Sequence, residues 1–331
     1  MLNKKIIENI TPKFRFDGSL GFEEWQSDGR AKLSELLGLK NIVKPADDKF
    51  TVEYKKEWES YTEIRFTVQS EEGYFCPAVM LIPKGIKAPA PTMLCLQGHS
   101  TGMHISLARP IHPKDEKSIA GGDRDFAIRA ISEGCVAVAI EQRNFGECGA
   151  KEDGSPDCHV SSMAALLVGR TTIGERVHDV SAVIDALLAH FDVVDKERIM
   201  LMGNSGGGTA TVYAAAIDKR ISLAMPSCSV CTYKTSIAAM FHCVCNFVPN
   251  IANYFDMGEL GGLIAPRALV VVNGREDEIF PEEGVEEAFS VIKSIYKAAG
   301  AEDRCRLVTG EGGHRFYADA AWQQVHELME K

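Results

Sequence analysis

Gly203-Asn204-Ser205-Gly206-Gly207 joins an apolar stretch, 198–202, to a run of small, helix-compatible residues from Gly208 to Ala216. No other feature constrains the fold as strongly. It predicts a strand that turns tightly into a helix, with the serine on a strained turn and its hydroxyl projecting from the sheet. Glycines two before and two after the serine let strand and helix approach with no Cβ between them. The motif alone is weak, because 29 glycines in 331 residues make such a pattern easy to meet by chance. Its flanks and its downstream partners have to carry it.

The remaining chain supplies a sheet for that unit. Phe50–Tyr54, Tyr61–Val68 and Phe75–Ile82 alternate or run apolar between turn residues, which predicts an antiparallel start. Apolar runs at 92–97, 134–140, 198–202, 221–225, 268–273 and 304–309 then alternate with helical patterns. Such alternation is the signature of a mostly parallel sheet with crossover helices. Helices are expected over Arg176–His190, Glu282–Ala299 and Ala318–Lys331, the second entered through Pro281 and ended at Gly300. The whole chain, 1–331, reads as one α/β domain, with 1–74 forming a helical segment and the first strands. Residues 226–266 break the alternation, and a stretch of that length inside a compact domain is usually functional. We expect a cap-like insertion over the strand ends, with Tyr233, Met240 and Phe241, together with Asn204, walling a substrate pocket.

Composition narrows the function classes. A net charge of −10 argues against a nucleic-acid groove or a basic membrane-binding surface. No apolar run approaches the length of a transmembrane span, and the first ten residues lack the apolar core of a signal peptide, so a cytoplasmic protein is expected. Ten scattered cysteines agree with a reducing compartment. Cys228-x-x-Cys231 followed by Cys243-x-Cys245 is the one arrangement that hints at a metal, but the second spacing departs from a zinc knuckle. Packed thiols are the favoured reading there, and neither metal nor organic cofactor is expected.

A serine hydroxyl needs a base to take its proton, and the base needs an acid to fix its tautomer. On a fold of this kind the chain order is serine, acid, histidine. Three histidines follow Ser205: His242 in the insertion, His326 inside the last helix, and His314 in a glycine-rich loop between the last strand and that helix. His314 is the candidate base. The acid should leave the strand at 268–272, where Glu276, Asp277 and Glu278 compete, and position favours Asp277. Amide donors for an oxyanion should come from Gly206 and from the loop after 92–97, where the amide of His99 is the candidate. His104 and His112 have no assigned role.

Taken jointly, these stretches resemble the α/β-hydrolase superfamily, and within it the acetyl xylan esterase-like and dienelactone hydrolase-like branch. The resemblance runs from about Phe75 to the C-terminus. It rests on Leu96-Gln97-Gly98-His99, Glu141 to Gly146, Asp192 to Ile199, His242 to Pro249, Ile264 to Arg267 and the loop from Gly274 to Pro281. It implies the α/β-hydrolase fold, with Ser205, Asp277 and His314 at the nucleophile, acid and base positions. Gln97 stands where the branch more often has histidine, and Asn204 is an uncommon neighbour of the nucleophile. A dienelactone hydrolase proper would carry cysteine at position 205, so serine points to ordinary ester hydrolysis. Arg143 is expected to be a structural ion-pair residue.

The expectation is therefore a serine carboxylesterase acting on small acyl esters, with acetyl groups on carbohydrate such as xylo-oligosaccharide as the substrate class. Rival readings are a peptidase of the prolyl oligopeptidase type and a non-catalytic binding protein on the same scaffold. The exposed insertion leaves homo-oligomerisation open.

Overall fold

Successive residues of the central strands are apolar on both sides, so the sheet must be covered on both faces. In the computed structural model, which describes residues 2–47 and 49–330, this is what happens. Met1, Asp48 and Lys331 fall outside the described residues. The strands are β1 (Phe50–Glu57), β2 (Tyr61–Glu71), β3 (Tyr74–Pro83), β4 (Ala90–Leu96), β5 (Val136–Ile140), β6 (Val194–Asn204), β7 (Ile221–Ser227), β8 (Ala268–Gly274) and β9 (Cys305–Gly310). They form one sheet in the order β1-β2-β3-β5-β4-β6-β7-β8-β9. β1, β2 and β3 pair antiparallel, as does β3 with β5, and every later pairing is parallel.

The helices are α1 (Leu2–Asn9), α2 (Phe22–Leu37), α3 (Asp115–Gly122), α4 (Phe126–Ser132), α5 (His159–Leu167), α6 (Thr172–His190), α7 (Gly206–Ile217), α8 (Met257–Gly262), α9 (Glu282–Ala298) and α10 (Ala318–Met329). Leu94, Leu96, Val138 and Leu201 face one layer, with Val177, Val180 and Ile184 of α6, Tyr213 of α7 and Ile292 of α9. Their neighbours Met93, Cys95, Ala139 and Met202 face the other, with Phe126 of α4 and Trp322 and Val325 of α10. One-residue alternation along each strand thus builds two cores. α6 begins four residues before the expected Arg176 because Thr171 caps it, its hydroxyl accepting from the Gly174 amide. No helix among the described residues is long and apolar enough to cross a membrane.

The insertion is part core and part rim. Tyr233, Phe255, Leu260, Leu263 and Ile264 are buried in the larger core, and Phe255 stacks on Phe14 with ring centroids 5.1 Å apart. α8 carries a capping box, with Asp256 accepting from Met257 N and Glu259 reaching back to Asp256 N. The insertion's exposed large apolar side chains are Met240, Phe241 and Phe247. The expectation of an overhanging cap across 226–266 is therefore met by a much shorter rim.

Candidate active site

Ser205 lies between the end of β6 and the first turn of α7, at φ 55° and ψ −122°. A non-glycine residue in this region is strained, and such strain persists only where the surroundings enforce it. Ser205 N donates to Ser227 O at the end of β7 (2.8 Å), and Thr209 N donates back to Ser205 O (2.8 Å). A Cβ on Gly207 would meet the carbonyls of Leu96 and Gln97, so the end of β4 packs directly on the start of α7. A Cβ on Gly98 would lie 2.5 Å from Asn204 O and 2.9 Å from Ser205 Cβ. The glycines are therefore demanded by close approach around the serine.

The loops after β8 and β9 are zipped together by backbone hydrogen bonds, Arg275 N to Gly310 O (2.8 Å) and Glu276 N to Gly312 O (3.0 Å). A Cβ on Gly274 would strike the carbonyls of Gly312 and Gly313, which is why this exit must be glycine. The zip brings Asp277 Oδ2 to 2.9 Å from His314 Nδ1. Asp277 Oδ1 accepts from Ile279 N (2.9 Å) and Phe280 N (3.1 Å). Burial raises the Asp277 pKa, but the His314 bond and charge and the two amides outweigh it and hold the carboxyl below its ordinary value. Phe280 stacks on the His314 ring at 5.9 Å with planes 16° apart, fixing its orientation. Glu276 and Glu278, the rival acids, make no such bond to His314 among the described residues. Cys228, the residue after Ser227, puts its sulfur within 4.8 Å of both the Asp277 carboxylate and a His314 nitrogen. Serine, acid and histidine loops thus meet at one end of the sheet.

The loop after β4 completes this end. The His99 Nδ1 atom is 2.7 Å from where a Cβ on Gly206 would stand, so the ring covers the start of α7. His99 Nε2 is 3.1 Å from Cys245 Sγ. Burial alone would lower its pKa, but the Cys243 and Cys245 thiols raise it to about 9. Gln97, in place of the histidine more usual in the branch, is buried, and its amide donates to Ser106 Oγ (2.8 Å) and Arg124 O (2.7 Å). It is a pin for the loop. His104 Nε2 meets the wholly buried Asp115 at 2.9 Å, and Asp115 also accepts from Thr101, Ile111 and His112. Glu141 closes the far side, accepting from Met103 N (3.1 Å) and Glu147 N (3.4 Å). Burial pushes its carboxyl up to about 8.

The expected pocket residues divide. Asn204 is wholly buried beneath the turn, where its Oδ1 accepts from Ser227 Oγ at 2.9 Å, so it ties β6 to β7 instead of facing a ligand. Tyr233 is in the core, its hydroxyl 2.7 Å from that of Tyr213. Met240 and Phe241 are exposed, Phe241 at 93%. His242 reached no role from sequence, yet its ring packs on Phe280 and its Nε2 is 3.2 Å from Ser236 Oγ. Burial and then the charges of His99 and His314 lower its pKa, which puts it among the histidines of the site. The sequence signal was its place directly before Cys243, three residues before Cys245. Arg143 is the expected ion-pair residue, bound to Asp179 through Nε (2.8 Å) and to Glu71 (3.2 Å). Grouping Cys228 and Cys231 with Cys243 and Cys245 fails, since Cys228 donates to Arg315 O and Cys231 meets Thr235, away from the other two.

Comparison with known proteins agrees with this architecture. A Bacillus subtilis (strain 168) protein named "Putative hydrolase YtaP" is 27% identical over 241 residues, 72% of this chain and 77% of that one. Among solved structures, a "putative acetyl xylan esterase" from Bacteroides fragilis superposes with TM-score 0.79 at 18% identity, over 97% of this chain and 83% of that one. A glucuronoyl esterase from Solibacter usitatus gives TM-score 0.70 at 14% identity, over 97% of each chain. These structural likenesses fix the fold as that of the α/β-hydrolases. The model of the Abhydrolase family matches residues 2–330, and the protein belongs to that family.

Proposed function

We propose that the protein is a serine carboxylesterase that removes small acyl groups, acetyl above all, from carbohydrate. The observation that carries this reading is the 2.9 Å bond from Asp277 to His314 Nδ1 beside the strained turn that presents Ser205. Asp277 holds the His314 proton on Nδ1, leaving Nε2 free to accept from the serine. Ser205 Oγ attacks the ester carbonyl while His314 takes its proton. The amides of Gly206 and His99 receive the negative oxygen of the tetrahedral intermediate, the contribution that is usually largest in acyl transfer. His314 then protonates the leaving alcohol, and a water repeats the sequence on the acyl-enzyme. Met240 and Phe241 stand at the rim, where they would meet the alcohol half. The names of the structural neighbours, an acetyl xylan esterase and a glucuronoyl esterase, support a sugar alcohol in that half.

Turnover of p-nitrophenyl acetate and of acetylated xylo-oligosaccharides by the purified protein tests the reading. Ser205→Ala is expected to abolish both while leaving the melting temperature and far-UV spectrum in place. Near-full activity in that variant would remove Ser205 from the reaction.

A further inference from the structure

We propose that His99, Cys158, Cys243 and Cys245 form a structural zinc site beside the active centre. Their donor atoms come from three separate segments: the loop after β4, the residue before α5, and the exposed turn of the insertion. All four lie within 4.8 Å of one another. Cys245 Sγ is 3.1 Å from His99 Nε2 and 3.4 Å from Cys243 Sγ. Zinc–sulfur bonds of about 2.3 Å at tetrahedral angles put sulfurs about 3.8 Å apart, so small side-chain rotations complete the geometry. Three thiolates and one imidazole are a ligand set of closed, structural zinc sites, with no position left for water.

Arg176 is the independent observation. Its side chain is 1% exposed, and its guanidinium cannot shed its charge at any ordinary pH. It donates to the Arg143 carbonyl (2.8 Å) and lies over the Phe145 ring (4.2 Å). Its remaining neighbours are Cys245 Sγ at 3.6 Å and Cys158 Sγ at 3.9 Å, and among the described residues no carboxylate pairs with it. A buried guanidinium needs a compensating anion. Zinc(II) with three thiolates and a neutral imidazole carries one net negative charge, which Arg176 balances. Binding releases the thiol protons to solvent and changes no oxidation state. Phe145, wholly buried with Cys158 and Cys245, keeps water off the cluster.

The site would tie the loop after β4 to the insertion and to α5, and so hold the His99 backbone against Gly206. That consequence for catalysis rests on the esterase reading, whereas metal binding does not.

The test uses the full chain, reduced and freed of metal by chelator, then titrated with Co2+ and next with Zn2+. We expect one equivalent of Co2+, with thiolate-to-cobalt charge transfer and the visible bands of tetrahedral cobalt, both lost as Zn2+ displaces it. Cys158→Ser and Cys245→Ser should bind Zn2+ at least about tenfold more weakly. Cys231→Ser should bind as the wild type does. Ser205→Ala should also retain one equivalent while losing turnover, which separates failure of the metal site from failure of the esterase reading. Absence of a charge-transfer band in the reduced wild-type protein overturns the proposal, whatever the variants do. Equal Zn2+ binding by the Cys158, Cys245 and Cys231 variants overturns it as well.

Discussion

Asp277→Asn is the most discriminating single change at the proposed triad. The asparagine amide has one oxygen and one NH2, and the structure dictates which way it faces. Oδ1 of Asp277 is held by two backbone donors, Ile279 N at 2.9 Å and Phe280 N at 3.1 Å. Turning an NH2 toward those amides would leave donors facing donors inside a buried turn, at a cost of about 1–3 kcal/mol. The amide oxygen therefore stays there, and the NH2 points at His314 Nδ1. Nδ1 must then accept, the ring proton moves to Nε2, and the base can no longer take a proton from Ser205. In the serine-protease triad the same change lowers kcat by about 10⁴, roughly 5 kcal/mol of barrier. We expect a loss of that order here, with KM and the melting temperature little changed. The assay is steady-state hydrolysis of p-nitrophenyl acetate, with fluorophosphonate labelling of Ser205 as an independent readout. Retention of kcat within tenfold would refute the tautomer argument. A comparable loss in Glu276→Gln with Asp277→Asn active would move the acid to Glu276.

Three further changes probe the supports of the site. Gly98→Ala would drive a Cβ to 2.5 Å from Asn204 O and 2.9 Å from Ser205 Cβ. Displacing reacting groups by about 1 Å costs on the order of 10² in rate, so kcat should fall about that far in a folded protein, and an unchanged kcat would show that the loop has slack. Arg143→Met leaves the buried Asp179 without its ion-pair partner, while Glu71 keeps Arg170 at 2.5 Å. Breaking such a pair costs about 3–5 kcal/mol, to be read from urea unfolding, and a loss below about 1 kcal/mol contradicts the assignment. Glu141 is held up to about 8 by burial. A raised carboxyl pKa gives stability that is complete below the unfolded value, about 4.3, and is lost as pH rises toward about 8. Glu141→Gln should flatten the fall in melting temperature between about pH 5 and 8. Parallel curves for the two proteins would show that Glu141 does not ionise in that range.

The sheet was readable because its causes are local. Runs such as Met93 to Leu96 and Ala268 to Val272 are apolar at every position, and a strand buried on both faces leaves no other pattern. The places of Ser205, Asp277 and His314 after strands were readable because each exit is marked by glycine and chain order orders the exits. The insertion was misjudged because apolarity does not say which way a side chain faces. Phe255 and Tyr233 go to the core, where α2, α7 and α9 leave room, and Phe241 goes to solvent. Asn204 was placed against substrate because it neighbours the nucleophile, yet a strand reverses direction at each residue and carries it beneath the turn. Cys158 could not be joined to Cys243 and Cys245 from spacing, since more than eighty residues separate them and only the packing of α5 on the insertion brings them together.

Proximity in the sequence explains little of how Ser205 is held. Its φ of 55° costs energy that the pentapeptide cannot supply. The compensation comes from elsewhere: a carbonyl of β7 accepting its amide, a Ser227 hydroxyl on Asn204, and the backbone of the β4 loop pressed against Gly207. The β4 loop is in turn pinned by Gln97, Asp115 and Glu141, each a buried polar side chain whose bonds go to backbone or loop partners. A G-x-S-x-G set in another sheet would lack these restraints and would relax. The geometry at position 205 is thus set by the ends of β4, β6 and β7 acting together on one residue, with buried polar groups farther out holding those ends in place.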